Sequence, residues 1–133
     1  MDLDIFTLCD GAYNYNGKLT LVGTYDQIVI NNIPQTFRSS LAVKIKFLPD
    51  DIKNDTVFSV NYLDNQNNLI GNYKINIPKP PVNANHLTVA LAINKDLKIS
   101  TSGEIRIQLL LDNDNLLIEK KVQVRVVNSS MNN

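Results

Sequence analysis

The sequence predicts an all-β protein, a single antiparallel β-sandwich of about 8–9 strands that is immunoglobulin-like or similar. Three observations predict it. Apolar and polar residues alternate with a period of two along most of the 133 residues, as in strands with one buried face. The chain has 14 Ile and 11 Val but only five Ala and two Glu, which disfavours long helices. Clusters of Asn, Asp, Gly and Pro separate the alternating segments, where turns are expected.

The first 30 residues predict a hairpin followed by a change of phase. Residues 3–9 and 19–21 place apolar side chains at odd positions, and Asn16-Gly17 between them is a strong hairpin signal. Residues 28–30 place them at even positions instead. Because a slip of one residue would turn a strand inside out, we predict a bulge or bend near Gly23.

Six further segments show the same alternation, with Lys, Asn, Gln or Arg on the polar face of most of them and His86, Thr88 and Asn94 around residues 87–93. They are residues 41–47, 58–62, 69–77, 87–93, 105–111 and 118–126. Polar turns at 64–68 and 112–115 separate strand pairs at hairpin distance. Pro78-Lys79-Pro80-Pro81 cannot lie inside a ladder, so we expect it to carry the chain from one sheet to the other. We predict one domain over residues 1–127 and a frayed tail over 128–133.

Composition bounds the function. Thirteen Lys and Arg balance thirteen Asp and Glu, so the formal net charge of zero provides no field for nucleic acid or an anionic membrane. No apolar run approaches the roughly 18 residues of a membrane helix, and the N-terminus is acidic. These features predict a soluble, cytoplasmic protein, or a virion component if a phage encodes it. A single cysteine and a single histidine exclude an internal disulfide, a four-thiolate zinc site and a two-histidine motif.

Cys9 and His86 are the only side chains suited to nucleophilic or proton-shuttling chemistry near neutral pH. Nothing local brings them together with a third group that would orient the base. We interpret Cys9 as a small buried thiol and His86 as a solvated strand residue. The sequence therefore predicts no enzyme, no catalytic residue and no cofactor.

Acidic loops raise the alternative of a calcium site. Asp112-Asn113-Asp114-Asn115 begins like an EF-hand loop, but Leu117 and Gln123 stand where Gly and Glu are needed. A looser hypothesis gathers four aspartates at one end of the sandwich: Asp50, Asp51, Asp55 and Asp112. Turn formation explains the same residues without a metal, and we favour it.

Three tyrosines come closest to an aromatic platform for a sugar or a base. Tyr13 and Tyr15 are placed to project from the first hairpin, and Tyr25 follows on the next strand. Packing in the core or in turns is nevertheless the interpretation that we favour for all three.

The first 35 residues also carry a recognisable pattern. It consists of Cys9-Asp10-Gly11-Ala12, then Gly17-Lys18-Leu19, Gly23-Thr24-Tyr25-Asp26-Gln27-Ile28 and Pro34. The pattern resembles the opening of a bacterial family of unknown function, short proteins also met in phage-related contexts, although Tyr25 replaces the usual Phe. Residues 103–117 are loosely similar to the last hairpin of that family. The resemblance implies a β-sandwich and no established activity.

The motif provides a candidate structural or recognition site, formed by Asp10, Gly17, Lys18, Gly23, Tyr25 and Asp26. Gly17 suits a turn with positive φ, and Gly23 suits the change of phase. In the structural interpretation, which we favour, Asp10 and Asp26 cap nearby backbone amides and hold the first hairpin in place. In the alternative, Asp10, Lys18 and Asp26 converge as a recognition patch.

These features predict a non-catalytic protein-interaction or structural module, an accessory component of a phage-like or multi-protein assembly. It would act through a sandwich face or an exposed edge strand, on a protein partner or on a second copy of itself. Nucleic acid and membrane are not expected partners. The alternative is a calcium- or small-ligand-binding β-module that uses the loops at one end of the sandwich.

Overall fold

The structure, a computed structural model, describes residues 1–16, 18–52, 54–79 and 87–127. Regular secondary structure within those ranges consists of nine strands. In chain order they are β1 (Asp2–Tyr15), β2 (Lys18–Tyr25), β3 (Gln27–Ile30), β4 (Gln35–Phe47), β5 (Thr56–Leu63), β6 (Leu69–Ile77), β7 (Leu87–Ile99), β8 (Gly103–Leu111) and β9 (Asn115–Val126).

The strands form two sheets, which confirms the predicted sandwich. One has four strands in the order β2-β1-β4-β7, and the other has five in the order β3-β9-β8-β5-β6. In the immunoglobulin fold, strands B and E share one sheet while C, F and G share the other. Here β4 and β7 take the places of B and E in one sheet, and β5, β8 and β9 take the places of C, F and G in the other. One pairing departs from the antiparallel prediction, because β3 runs parallel to β9.

Core side chains alternate along the strands as predicted. Leu41, Val43, Ile45 and Phe47 of β4 are all buried between the sheets. The ring of Phe47 meets Phe58 of the opposite sheet edge to face, with ring centroids 6.3 Å apart. Since successive strand residues point to opposite faces, the lysines between these apolar residues lie on the outside of the sheet.

The predicted turns join the strands where they were expected. Hairpin β5–β6 turns at 64–68 and β8–β9 at 112–114, with positive φ at Asn67, Asp112 and Asn113. Strands β6 and β7 lie in different sheets, so the segment after Ile77 carries the chain between sheets as predicted. Residues 80–86 of that segment and the predicted tail 128–133 lie outside the described residues.

The first hairpin folds back over its own sheet, which the sequence did not indicate. Pairing of β1 with β4 ends at Cys9 opposite Ser40, while pairing of β1 with β2 continues to Tyr15. If the hairpin continued in the plane of the sheet, Asn14 would lie beyond Ser40. Instead, Asn14 Nδ2 donates to the carbonyl oxygen of Ala90 on β7, at 2.7 Å. Residues 11–16 and 18–22, which we call the folded hairpin, therefore lie across β4 and β7.

A second apolar cluster lies beneath the folded hairpin, on the outer face of the four-stranded sheet. Ala12 is buried there with Cys9 and Ala42, and partly buried Leu19 and Leu21 pack against them, as do Ile5 and Ala92. The residues that the hairpin covers are small, which allows its backbone to approach the sheet closely. This cluster is separate from the main core.

The bend occurs where Asp10 faces Gly23, as the phase change near Gly23 predicted. Gly23 has a φ of 64°, a conformation that costs glycine little. Before it, Leu21 faces the outer cluster; after it, Tyr25 packs against the main core. The chain then crosses at Asp26 into the other sheet, where Ile28 is buried on β3.

Candidate functional site

The bend brings together most of the sequence motif. Asp10, Gly23 and Tyr25 line one shallow cleft of about 300 Å³, and Tyr25 and Asp26 line a second of about 340 Å³. Lys18 lies apart, at the far end of β2 opposite Tyr15. The alternative in which Lys18 converges with Asp10 and Asp26 is therefore wrong, because folding back carries the hairpin tip away from the bend. Gly17 lies outside the described residues.

Asp10 has a structural role that differs from the predicted capping role. A β-carbon added at Gly23 would lie 2.9 Å from Asp10 Cγ, so the carboxylate occupies the space that any other residue would need. Within the part of the chain that the structure describes, no backbone amide donates a hydrogen bond to Asp10 or Asp26. Asp10 supports the bend by covering the glycine, and the capping interpretation is wrong.

Tyr25 anchors the bend to the core. Its ring meets Phe37 edge to face, with centroids 6.2 Å apart. Burial, followed by the nearby negative charge of Asp10 and by Cys9, raises the pKa of Tyr25 to about 12. The phenol therefore stays protonated at neutral pH. The predicted packing role is confirmed for this tyrosine.

Lys120 is a further residue of this region that sequence reasoning missed. It pairs with Ile107 on the core-facing side of β9, and its Nζ donates to Thr7 Oγ1 at 3.3 Å and to the Phe6 carbonyl oxygen at 3.5 Å. The ammonium thus joins the two sheets along one side of the sandwich. A signal was available, because the apolar series of β9 is interrupted at position 120 between Ile118 and Val122.

The outward face of the folded hairpin exposes two tyrosines, contrary to the packing interpretation. Tyr13 is 63% exposed, Tyr15 is 76% exposed and Val22 is 54% exposed. Strand register places them on one face, since Tyr13 is opposite Thr20, Tyr15 is opposite Lys18 and Gly11 is opposite Val22. The opposite face of the hairpin is the one that packs on the sheet. We call the exposed set of Tyr13, Tyr15 and Val22 the tyrosine face.

The four loop aspartates do share one end of the sandwich, where they line a cleft of about 430 Å³. Three of them accept hydrogen bonds from the chain itself. Asp51 accepts from the Leu48 amide at 2.7 Å, Asp55 from the Lys79 amide at 2.8 Å, and Asp112 from the Thr56 hydroxyl at 3.1 Å. The contact of Asp51 lies within a turn, as the turn-forming interpretation expects, whereas those of Asp55 and Asp112 join distant segments of the chain. Among the described residues, no group of three or more His, Cys, Asp or Glu could hold a metal ion.

Asp51 is also tied to the first residue of the chain. Its Oδ2 lies 3.0 Å from the amino group of Met1. The hydrogen bond from Leu48, followed by the one from the amino group, lowers the pKa of Asp51. The carboxylate therefore serves the local structure of the loop.

Asp64 organises the turn between β5 and β6 and is only 7% exposed. Its Oδ1 accepts from the amides of Gln66 and Asn68, both at 2.9 Å, and its Oδ2 accepts from Asn68 Nδ2 at 3.2 Å. Burial alone would raise the pKa of Asp64, but the hydrogen bonds from Asn68 and Gln66 outweigh it and lower the pKa.

Cys9 is buried, as predicted, beneath the folded hairpin. Burial, followed by the charge of Asp10, raises the pKa of the Cys9 thiol, which weakens it as a nucleophile. His86 lies outside the described residues. No helix among the described residues is long and apolar enough to cross a membrane.

The chain is similar to known proteins in two respects. The model of a family of unknown function (DUF6941) matches residues 4–126. Two solved structures are also similar. One is the CARDB domain of a Pyrococcus furiosus protein in complex with di-metal ions, at 14% identity and a TM-score of 0.42, over 96% of this chain and 100% of that one. The other is an immunoglobulin-like protein from Pseudomonas aeruginosa, at 14% identity and a TM-score of 0.37, over 94% and 98%. No curated protein matches the sequence.

Proposed function

The chain belongs to a family of unknown function (DUF6941), and we propose its role from its own surface: it is a non-catalytic module that binds a protein partner through the tyrosine face. The sequence pattern also resembles a family of unknown function, which is consistent with this match. We also propose that the module is an accessory component of a phage-like or multi-protein assembly.

One observation carries the proposal: the exposure of Tyr13, Tyr15 and Val22 on a single face of an ordered hairpin. Tyrosine supplies a large, rigid contact area with a polar tip at low entropic cost, which is why protein-binding surfaces are rich in it. The hairpin is held from behind by its own cluster, so the tyrosine face is presented on a fixed support. Preorganised contacts of this kind reduce the cost of association.

Charge favours a protein as the partner. Lys18 is the only charged residue between positions 11 and 22. Charged residues are depleted at the centres of protein–protein interfaces, whereas nucleic acids and anionic membranes are held by several basic side chains together. A weakly charged aromatic face is therefore typical of a surface that binds another protein.

The buried thiol supports a non-catalytic role. Cysteines that act as nucleophiles are partly exposed and have a lowered pKa. Cys9 is 1% exposed and its pKa is shifted in the opposite direction. Three of the four carboxylates of the loop cleft accept hydrogen bonds from the chain itself.

The experiment compares partner capture by three forms of the chain. The wild type, the double variant Tyr13→Ser/Tyr15→Ser and the control Leu69→Ser are immobilised and exposed to native lysate of the source organism. Leu69 is 58% exposed on β6, so the control removes an exposed apolar side chain from another surface. We expect a protein that the wild type and the control retain equally and that the double variant retains at least tenfold less.

Thermal unfolding of all three forms shows whether the fold is intact. The proposal is wrong if the double variant, still folded, retains the same proteins as the wild type. It is also wrong if the control loses them equally.

The alternative of a calcium- or small-ligand-binding module uses the cleft of Asp50, Asp51, Asp55 and Asp112. The one observation in its favour is that these carboxylates share a cleft. We rank it second because three of the four would have to exchange existing hydrogen bonds for a metal.

A further inference from the structure

We propose that the folded hairpin is exchanged between two copies of this chain, each hairpin covering the outer face of the other copy's four-stranded sheet. The inference goes beyond the proposed function, because it concerns the inner face of the hairpin and a second copy. The tyrosine face would still point outward in the exchanged dimer.

The surface that accepts the hairpin is already defined by the contacts within one chain. Ala42 and Ala92 face each other across β4 and β7, and Ala42 is fully buried because Ala12, Leu19 and Leu21 cover it. A hairpin from a second copy would make the same contacts on the same small residues. Exchange of identical elements therefore replaces each contact with an equivalent one, so a dimer forms in this way at little cost in free energy.

A hinge exists at the point where exchange requires one. The ladder between β1 and β4 stops at Cys9, and the hairpin bends where Asp10 faces Gly23. Glycine adopts negative φ as readily as its present 64°, so the bend can straighten without steric cost at Gly23. Asp10 is exposed and can move aside. A straightened hairpin would leave the outer cluster and extend along residues 35–39 of β4 and past them, within reach of another copy.

The strands on both sides of the hinge are anchored, so only the hairpin needs to move. Before it, β1 is paired with β4. After it, Tyr25 packs on Phe37, and β3 pairs with β9 from Gln27 to Ile30. The two domains keep their cores while the hairpins cross over.

The experiment uses cysteine pairs in the full chain carrying Cys9→Ala. One variant adds Ala12→Cys on the hairpin and the other adds Ala42→Cys on the sheet. They are unfolded separately, mixed in equal amounts, refolded together at high protein concentration and oxidised. Disulfide-linked dimers are then measured on a non-reducing gel. A mixture of Ala12→Cys with Leu116→Cys, an exposed position on β9, controls for random oxidation.

We expect a linked dimer from the Ala12→Cys and Ala42→Cys mixture at least fivefold above the control mixture and above either variant alone. The double variant Ala12→Cys/Ala42→Cys tests the packing itself by closing within one chain. A double variant that closes as a monomer, with no linked dimer from the mixture, overturns the exchange and leaves the proposed function untouched. A double variant that does not close at all overturns it as well, because the hairpin then does not cover Ala42.

Discussion

The substitution Gly23→Ala tests the bend on which both the site and the exchange depend. Alanine would keep a φ of 64° in the left-handed region, at a cost of about 1–2 kcal/mol. Its β-carbon, 2.9 Å from Asp10 Cγ, would force that side chain off its rotamer, at about 0.5–1.5 kcal/mol. Lower entropy of the unfolded chain returns about 0.4–1 kcal/mol. We expect the free energy of unfolding to fall by about 0.5–3 kcal/mol.

Urea unfolding followed by far-ultraviolet circular dichroism measures this change. Two variants separate its causes. Asp10→Ala/Gly23→Ala removes the steric overlap but keeps the backbone cost, so it should recover only part of the loss. Gly11→Ala, in the same hairpin, has ordinary φ, and its β-carbon would meet only the movable ring of Tyr13, at 3.2 Å, so the effect should be small. Full stability in Gly23→Ala, or full recovery in the double variant, would refute the conformational explanation.

The other predictions concern the loops and the side of the sandwich. Asp64→Ala should lower the free energy of unfolding by about 1–3 kcal/mol at pH 7, because it removes the charge-assisted hydrogen bonds from the amides of Gln66 and Asn68. The pKa of Asp64 is lowered in the folded state, so its contribution to stability is fully present above its unfolded-state pKa. That contribution is lost as the pH falls through the folded-state pKa. Urea unfolding at pH 7 and pH 3 should therefore show a smaller difference in the free energy of unfolding between wild type and variant at pH 3. Lys120→Met should increase self-association, measured by light scattering after size-exclusion chromatography. Lys120 lies on the part of β9 that β3 leaves unpaired, where an inward-pointing charge opposes edge-to-edge pairing. An unchanged molar mass would contradict that role. Calcium should leave the melting temperature unchanged relative to EDTA, and a rise that EDTA reverses would instead support the calcium alternative.

The sandwich was predictable because its strands obey a local rule. In β4 the residues between the sheets alternate with lysines, and the sequence displays that pattern directly. Turn positions followed from residue chemistry, as at Asn67 and Asp112, where the backbone has positive φ. Each of these signals depends only on a residue and its near neighbours in the chain.

The site was less predictable because its contacts join distant parts of the chain. Leu19 and Leu21 show the same alternation whether the hairpin lies in the plane of the sheet or folds across it. What decides between the two is the space above Ala42 and Ala92, which strand periodicity does not report. The sequence motif places Lys18 in one group with Asp10, although the bend separates them.

The short parallel ladder between β3 and β9 has a mechanical consequence. Its four residue pairs join Gln27–Ile30 to Gln123–Val126, and the chain enters β3 directly from the bend below the hairpin. Tension between a partner held on the hairpin and the carboxyl end of β9 would pull the two parallel strands lengthwise past each other. Under such shear, the hydrogen bonds of the ladder share the load and must rupture together, whereas a hairpin pulled from its open end unzips one pair at a time. We therefore expect the module to resist force best along this direction.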